Sequence, residues 1–219
     1  MKKLKIPSNL TTLAYNSIKE YILEGRLNEN SRLTEEFLST QLGISKSPIR
    51  EALNRLETEG LIRIEPRKGA YLRKLSHEEV AELYDLREAL EVHVVRTARL
   101  NSGVLSDLRS SLKRQRALLK ANDRTHYIEE DVHFHAELAQ STGNGHLCAV
   151  LENVQNQIWL SRRNSYDLSS STAPDHHEAI VEALDANDRV KAESAMRGHI
   201  QTVKGRLLEF LESRQLVEA

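Results

Sequence analysis

The spacing of apolar residues along the chain predicts helices almost throughout, with one short β-type interruption. Residues 61–65 and 70–73 are β-type runs on either side of the basic Pro/Gly turn 66–69, which predicts a β-hairpin. Upstream of this hairpin, apolar residues recur at helical spacing from about 11 to 24, and again on both sides of Gly43. The expected inner side of the first of these helices consists of Leu13, Ile18, Tyr21 and Ile22. The sequence therefore predicts a small unit of three helices followed by a hairpin.

The two helices around Gly43 have the features of a helix-turn-helix. Thr34 is a suitable N-cap, Leu33 and Leu38 can form a hydrophobic staple, and Gly43 supplies the left-handed residue that ends the first helix. The second helix begins near Ser45 and combines an apolar back with a polar, basic start. Such a helix N-terminus is suited to the DNA major groove, and the hairpin beside it is then a wing.

The predicted DNA contacts lie at the start of the second helix and in the hairpin turn. Both places offer hydrogen-bond donors and positive charge to phosphates and base edges. The contacts are Ser45, Lys46, Ser47 and Arg50, in a helix-turn-helix at about Glu35 to Asn54, together with Arg67, Lys68 and Gly69 in the wing. For Arg50, a salt bridge to Glu35 or Glu51 is the alternative interpretation.

From Ser76 onward the apolar spacing predicts an antiparallel bundle of about six helices. The first begins with the capping box Ser76–Glu79. Its expected inner face consists of Val80, Leu83, Leu86, Leu90 and Val94, and further helices are expected at about 104–121, 123–141, 144–164, 175–186 and 188–214. The predicted fold is mainly α, with a winged helix-turn-helix at 1–74 and an all-helical domain at 75–219.

Four residues on inner faces of this bundle form a candidate metal site. Asp131 and His135 are four residues apart on one helix face, and His177 and His199 lie on the apolar stripes of two other helices. A carboxylate and three imidazoles need partners when buried, and one divalent cation would satisfy all four. This ligand set suits zinc, with nickel or manganese as alternatives. Separate local hydrogen bonds remain the other interpretation.

The six remaining histidines are left out of the site: His77, His93, His126, His133, His146 and His176.

The distribution of charge agrees with two domains of different function. Residues 1–73 carry 13 lysines and arginines against 9 acidic residues, whereas the remainder carries 18 against 23. The near-neutral whole chain therefore has a basic N-terminal part, as a DNA-binding domain requires. The single cysteine, Cys148, excludes an intrachain disulfide and suits a reducing compartment. Since no apolar run reaches the length of a membrane span and no signal-peptide core is visible, a cytoplasmic protein is expected.

Residues 11–73 resemble the winged helix-turn-helix of the GntR family of bacterial transcription regulators. The resemblance is carried by the phrases SRLTE at 31–35, LGISKSPIREAL at 42–53 and LETEGLI at 56–62. Residues 76–214 resemble the helical effector domain of the FadR branch, in the subgroup that keeps a metal site. The matching phrases there are LYDLREALE at 83–91, Asp131-x-x-x-His135, TGN at 142–144, HEAI at 177–180 and MRGHI at 196–200.

This resemblance implies a metabolite-responsive regulator, most often a repressor, that binds a pseudo-palindromic DNA operator as a homodimer. It implies that Asp131, His135, His177 and His199 hold a divalent metal against which a small organic acid binds. Arg87 falls where relatives place an arginine facing the pocket, which suits a bidentate grip on a carboxylate. The alternative role for Arg87 is that of a solvated arginine or of an ion pair with Glu91. One departure concerns Lys46 and Ser47, where the family often has Arg and Thr, because lysine cannot make arginine's bidentate contact to guanine.

Two other classes of function are compatible with the same residues. Three histidines and an aspartate around an open metal resemble a hydrolytic centre. Against an enzyme, no second carboxylate is placed as a general base, and Glu178 beside His177 points to another helix face. Alternatively, the metal only staples the helices of a dimerisation module.

Overall fold

The computed structural model describes residues 9–27, 31–162 and 172–218, which form nine helices and one two-stranded sheet. The elements in chain order are α1 (Asn9–Leu23), α2 (Glu35–Leu42), α3 (Lys46–Thr58), β1 (Ile62–Glu65), β2 (Gly69–Leu72), α4 (His77–Thr97), α5 (Ser102–Lys120), α6 (Arg124–Gln140), α7 (Gly145–Arg162), α8 (Ala173–Asp185) and α9 (Arg189–Glu218). The chain divides into two compact units, Met1–Lys74 and Leu75–Ala219. The predicted fold class, a winged helix-turn-helix followed by an all-helical domain, is confirmed.

The core of the first unit lies between α1 and α3, with α2 packed on α3. Ile18 and Ile22 of α1 and Ile49 and Leu56 of α3 are fully buried there. Leu13, expected on the inner side of α1, is 51% exposed, so that expectation is wrong. The buried stripe begins one residue later, at Ala14 and Tyr15, and a shift of one residue turns a helical side chain by about 100°.

Backbone hydrogen bonds fasten the helix-turn-helix to the wing. The Thr34 side chain accepts a 3.1 Å hydrogen bond from the Phe37 amide and caps α2 as predicted. Gly43 ends α2 in the left-handed conformation, with φ of 65°. The strands β1 and β2 pair antiparallel. Leu33, just before the cap, exchanges two 2.8 Å hydrogen bonds with Ala70 of β2, so the wing is tied to the start of α2.

In the described part of the second unit, six helices surround one hydrophobic core. The long helix α9 packs on α4 and α8, α5 packs on α6 and α8, and α7 packs on α4 and α6. The capping box is present, with the Glu79 amide bonded to the Ser76 hydroxyl and the Ser76 amide bonded to the Glu79 carboxylate.

The inner face of α4 contains four of its five predicted residues, Val80, Leu83, Leu90 and Val94, which belong to the core or pack against it. Leu86 is 45% exposed, which contradicts its expected place on that face. The buried stripe also passes through Tyr84, Arg87 and Glu91. An apolar-only pattern misses this stripe because two of its central positions are charged. Arg87 and Glu91 pair with each other, and Glu91 also contacts His135 of α6.

Candidate metal centre and DNA-binding surface

The structure brings together the four residues that the sequence predicts as metal ligands. Asp131 and His135 come from α6, His177 from α8 and His199 from α9, and none of the four side chains is more than 2% exposed. One potential ligand atom from each residue lies within 4.8 Å of the other three. Two ligands about 2.1 Å from one ion are at most about 4.2 Å apart, so small side-chain rotations bring the set into coordinating geometry.

His177 is held in the tautomer that a metal requires. Its Nδ1 lies 2.8 Å from the Gln115 side-chain oxygen, and the Gln115 amide in turn donates to Ser111. Because that oxygen can only accept, the His177 Nδ1 carries the proton and Nε2 presents its lone pair. This Nε2 lies 3.7 Å from the Asp131 carboxylate and 3.2 Å from the His199 Nε2, so it faces the centre of the cluster.

Two nitrogens of the cluster lack a hydrogen-bond partner within the part of the chain that the structure describes. They are the His135 Nε2 and the His199 Nδ1, and both are buried. A buried polar atom without a partner destabilises the fold by about 1–3 kcal/mol. A divalent cation within the cluster would accept the His135 lone pair and take the place of the 3.2 Å hydrogen bond between the Nε2 atoms of His177 and His199. The donor set therefore fits a first-row metal.

Burial keeps the imidazoles in the form that binds metals. It lowers the pKa of His177 to about 3, with the charge of Asp131 opposing the shift and that of His135 adding to it. Burial also lowers the pKa of His199 well below its usual value, assisted by the neighbouring His177 and His135. Both rings are therefore neutral at physiological pH, and neutral imidazole is the metal ligand.

We expect the metal-free protein to lose stability as the pH falls below about 6.5, the usual pKa of histidine in an unfolded chain. Because the folded-state pKa of His177 is about 3, the unfolded chain takes up a proton between these values that the folded protein does not. Stability is thus complete above about pH 6.5 and is lost progressively towards pH 3, by at most about 1.4 kcal/mol per pH unit and histidine.

Urea unfolding at about pH 8 and about pH 5, with a chelator present, measures this loss. In the variant His199→Leu the decline should be shallower, because one of the two buried rings is absent. Parallel pH dependences in both proteins would contradict the assignment.

Arg87 lies beside the cluster in a fully buried ion pair. Its Nε donates a 2.8 Å hydrogen bond to the Glu91 carboxylate, and both side chains are no more than 1% exposed. The ion pair that the sequence offered as the alternative role is thus present. Within the described residues, the Arg87 Nη2 is nevertheless buried without a partner. One edge of the guanidinium therefore remains available to a carboxylate.

The polar groups that support the ligands were not among the predicted site residues. Gln115 holds His177, Glu91 contacts His135, and the Gln155 amide lies 3.5 Å from the Glu91 carboxylate. All three are buried polar side chains on inner helix faces. Their inward position at helical spacing was the available signal.

The predicted contacts of the recognition helix are exposed at the start of α3. Ser45, Lys46 and Ser47 are all exposed. Arg50, 63% exposed, donates two 2.7 Å hydrogen bonds to Glu35, so the alternative salt bridge to Glu35 is formed. The pair uses the Nε and Nη2 of Arg50 but not Nη1, and holds the guanidinium in place beside the helix start.

The tip of the wing is a tight turn with two exposed basic side chains, Arg67 and Lys68. The Lys68 amide donates to the Glu65 carbonyl at 3.0 Å, with Pro66 and Arg67 at the centre of the turn. Arg67 has φ of 65°, a conformation that is unfavourable for a residue with a side chain. Position 69 favours glycine for a steric reason, because a Cβ there would lie 2.7 Å from the Leu33 carbonyl oxygen.

A winged helix-turn-helix is typical of DNA-binding transcription regulators. The separate helical unit, with its buried polar cluster, is a second domain of the kind that binds a ligand. Residues 10–72 match the bacterial regulatory proteins of the gntR family, and residues 82–202 match the FCD domain. The chain belongs to the GntR family and carries its FCD domain. Members of this family are transcription regulators and not enzymes. In the part of the chain that the structure describes, no helix is long and apolar enough to cross a membrane.

Named relatives and solved structures agree with this assignment. The gluconate operon transcriptional repressor of Bacillus licheniformis is 28% identical over 206 residues, covering 90% of this chain and 84% of that protein. The transcriptional repressor RspR of Escherichia coli is 28% identical over 86% of this chain and 85% of its own length. Escherichia coli McbR/YncC shares the fold with a TM-score of 0.81 at 22% identity, covering 92% of this chain and 98% of that one.

Proposed function

We propose that this protein is a metabolite-responsive repressor that binds a pseudo-palindromic operator as a homodimer. Two copies of α3 would enter successive major grooves about one helical turn apart, with Lys46 and Arg50 at the helix start and Arg67 and Lys68 in the wing. The helical unit would sense a small organic acid next to a divalent metal, most suitably zinc. Acting on DNA, the protein would work in the cytoplasm.

The observation that carries the sensing function is the buried group of Asp131, His135, His177 and His199, whose ligand atoms lie within 4.8 Å of one another. These four side chains would hold the metal. When bound, the metal would supply positive charge and open coordination positions for a carboxylate oxygen. Arg87 would contribute its Nη2, which has no partner among the described residues, to the same carboxylate.

The charges of the site favour an anionic ligand only when the metal is present. Without metal, the carboxylates of Asp131 and Glu91 face one permanent positive charge, that of Arg87, and His177 and His199 are neutral. A divalent ion reverses the sign of this balance. We therefore expect binding of the organic acid to require the metal.

Thermal-shift measurements on the full-length protein, zinc-loaded and chelated, test this function. The panel contains acetate, small dicarboxylates and gluconate, the last because two relatives are named gluconate operon repressors. Hits are then added to the complex with an operator selected from random DNA, and its dissociation is followed by fluorescence anisotropy. A stabilising acid should act only on the zinc-loaded protein and should lower operator affinity about 5- to 150-fold, the usual range of allosteric coupling.

Two results would contradict the proposal in different ways. If chelation lowers the melting temperature but leaves acid binding and operator affinity unchanged, the metal is only a structural staple. If the purified full-length protein takes up no zinc, the cluster is a hydrogen-bonded core network.

A further inference from the structure

Glu91 of α4 is a fully buried carboxylate that joins two parts of the candidate site. Its Oε2 lies within hydrogen-bond distance of the His135 Nδ1. Its Oε1 accepts a 2.8 Å hydrogen bond from the Arg87 Nε and lies 3.5 Å from the Gln155 amide nitrogen. The buried salt bridge to Arg87 keeps this carboxylate ionised, so both of its oxygens can only accept hydrogen bonds.

An ionised carboxylate at this place dictates the tautomer of His135. Because Glu91 accepts, the proton of the ring stays on Nδ1 and the lone pair stays on Nε2. That Nε2 is buried and has no hydrogen-bond partner among the described residues, and His135 is one of the four clustered residues. The contact with Glu91 therefore prepares the ring to bind a metal through Nε2.

The same carboxylate orients Arg87. The hydrogen bond to Nε holds one edge of the guanidinium and leaves Nη2 without a partner in the described structure. Because the same carboxylate contacts the His135 Nδ1 through its other oxygen, it links the guanidinium to a residue of the cluster. One residue thus positions a metal ligand and the cation next to it.

We propose that Glu91 is a positioning residue that fixes the His135 tautomer for metal binding and, through its other oxygen, aims Arg87 at the same site. This inference deepens the proposed function and rests on it for the identity of the ligand. The role of Glu91 in holding the ring, however, can be measured in the metal-free protein.

The variant Glu91→Gln cannot accept hydrogen bonds from both Arg87 and His135, because an amide has one accepting end and one donating end. The accepting oxygen should turn to the charged Arg87, since hydrogen bonds from charged donors are the stronger ones. The amide NH₂ then faces the His135 Nδ1, which can pair with it only after its proton has moved to Nε2. An Nε2 that carries a proton cannot bind a metal.

The experiment measures zinc affinity by competition with a chelator and the His135 tautomer by ¹⁵N NMR of the metal-free full-length protein at about pH 8. The His135 resonances are assigned with the variant His135→Gln. For Glu91→Gln we expect zinc affinity to fall about 10- to 100-fold, as for other supports of metal-bound histidines, with a change from Nδ1–H to Nε2–H. The matched control is Glu82→Gln, which removes an exposed carboxylate from the same helix and should change neither value.

Several outcomes are decisive. Unchanged zinc affinity and an unchanged tautomer in Glu91→Gln would overturn the proposal. If that variant does not fold, the NMR spectrum of the wild type tests the proposal by itself. An Nε2–H tautomer of His135 in the wild type would overturn the proposal. A wild-type protein with the Nδ1–H tautomer but no zinc binding would refute the proposed metal function and leave the positioning of His135 by Glu91 standing.

Discussion

The variant His199→Leu should abolish zinc binding while leaving the metal-free protein as stable as the wild type or more stable. His199 is one of the four clustered residues that could hold the metal, and it carries a buried Nδ1 without a partner among the described residues. Leucine is close to histidine in volume and removes this unsatisfied atom from the core formed with Met196 and Ile200. The substitution thus acts in opposite directions on the folded protein and on the metal site.

The size of the effect follows from mass action. Zinc that binds only the folded state stabilises the wild type by about 4 kcal/mol when its free concentration is 1,000 times the dissociation constant. For a protein of this size that corresponds to a rise in melting temperature of about 10 °C. The variant should show no such rise, and its zinc affinity should fall more than about 100-fold, since weakening a mere support of a ligand already reduces affinity about 10- to 100-fold.

Thermal melts with zinc and with chelator measure both quantities. The control is His133→Gln, which changes a half-exposed histidine on the same helix as Asp131 and His135 and should keep the full zinc response. A variant His199→Leu that is still stabilised by zinc as the wild type is would show that the metal binds elsewhere.

The double variant Lys46→Ala, Arg50→Ala should have the second large effect, a loss of operator binding of about 100-fold or more. A base contact by Arg50 contributes about 1–3 kcal/mol, and each lost phosphate contact weakens binding further and lowers the salt dependence by about one counterion. Folding should be little affected. Lys46 is exposed, and the Arg50–Glu35 pair is a surface ion pair of the kind that contributes about 0–1 kcal/mol.

Fluorescence anisotropy with the selected operator, repeated at several salt concentrations, gives the affinity and its salt slope. Arg55→Ala is the matched control, because this arginine is also exposed on α3 but lies over the Tyr15 ring of α1, 3.7 Å from its centroid. It should leave operator affinity unchanged. If the double variant binds the operator as tightly as the wild type, α3 does not read the DNA through its N-terminus.

Local signals in the sequence were sufficient to predict the helices and strands. They were not sufficient to predict the polar residues that support the four clustered side chains. Thr34, Gly43 and the Ser76–Glu79 capping box act within a few residues of their partners, so their roles can be predicted from spacing. The same holds for Asp131 and His135 on one helix turn. Glu91, by contrast, contacts His135 across 44 positions of sequence and Gln155 across 64. Contacts between residues this far apart in sequence depend on how the helices pack, and local periodicity does not predict helix packing.

The errors in the predicted inner faces have a related cause. Leu13 and Leu86 were placed inward because they are leucines at helical spacing, yet both are about half exposed. On α4, the inward places near Leu86 belong to the charged residues Arg87 and Glu91, which are stabilised there by each other and by His135. A helix that lines a buried polar site therefore departs from the apolar pattern at the charged residues that face the site.

The pairing of Leu33 with Ala70 has a mechanical consequence for how this regulator leaves DNA. The two hydrogen bonds join the entry of α2 to the second strand of the wing. If α3 and the wing both contact the operator as proposed, we expect them to leave it together. An intermediate footprint, with the major groove vacated and the wing still seated, would not be populated.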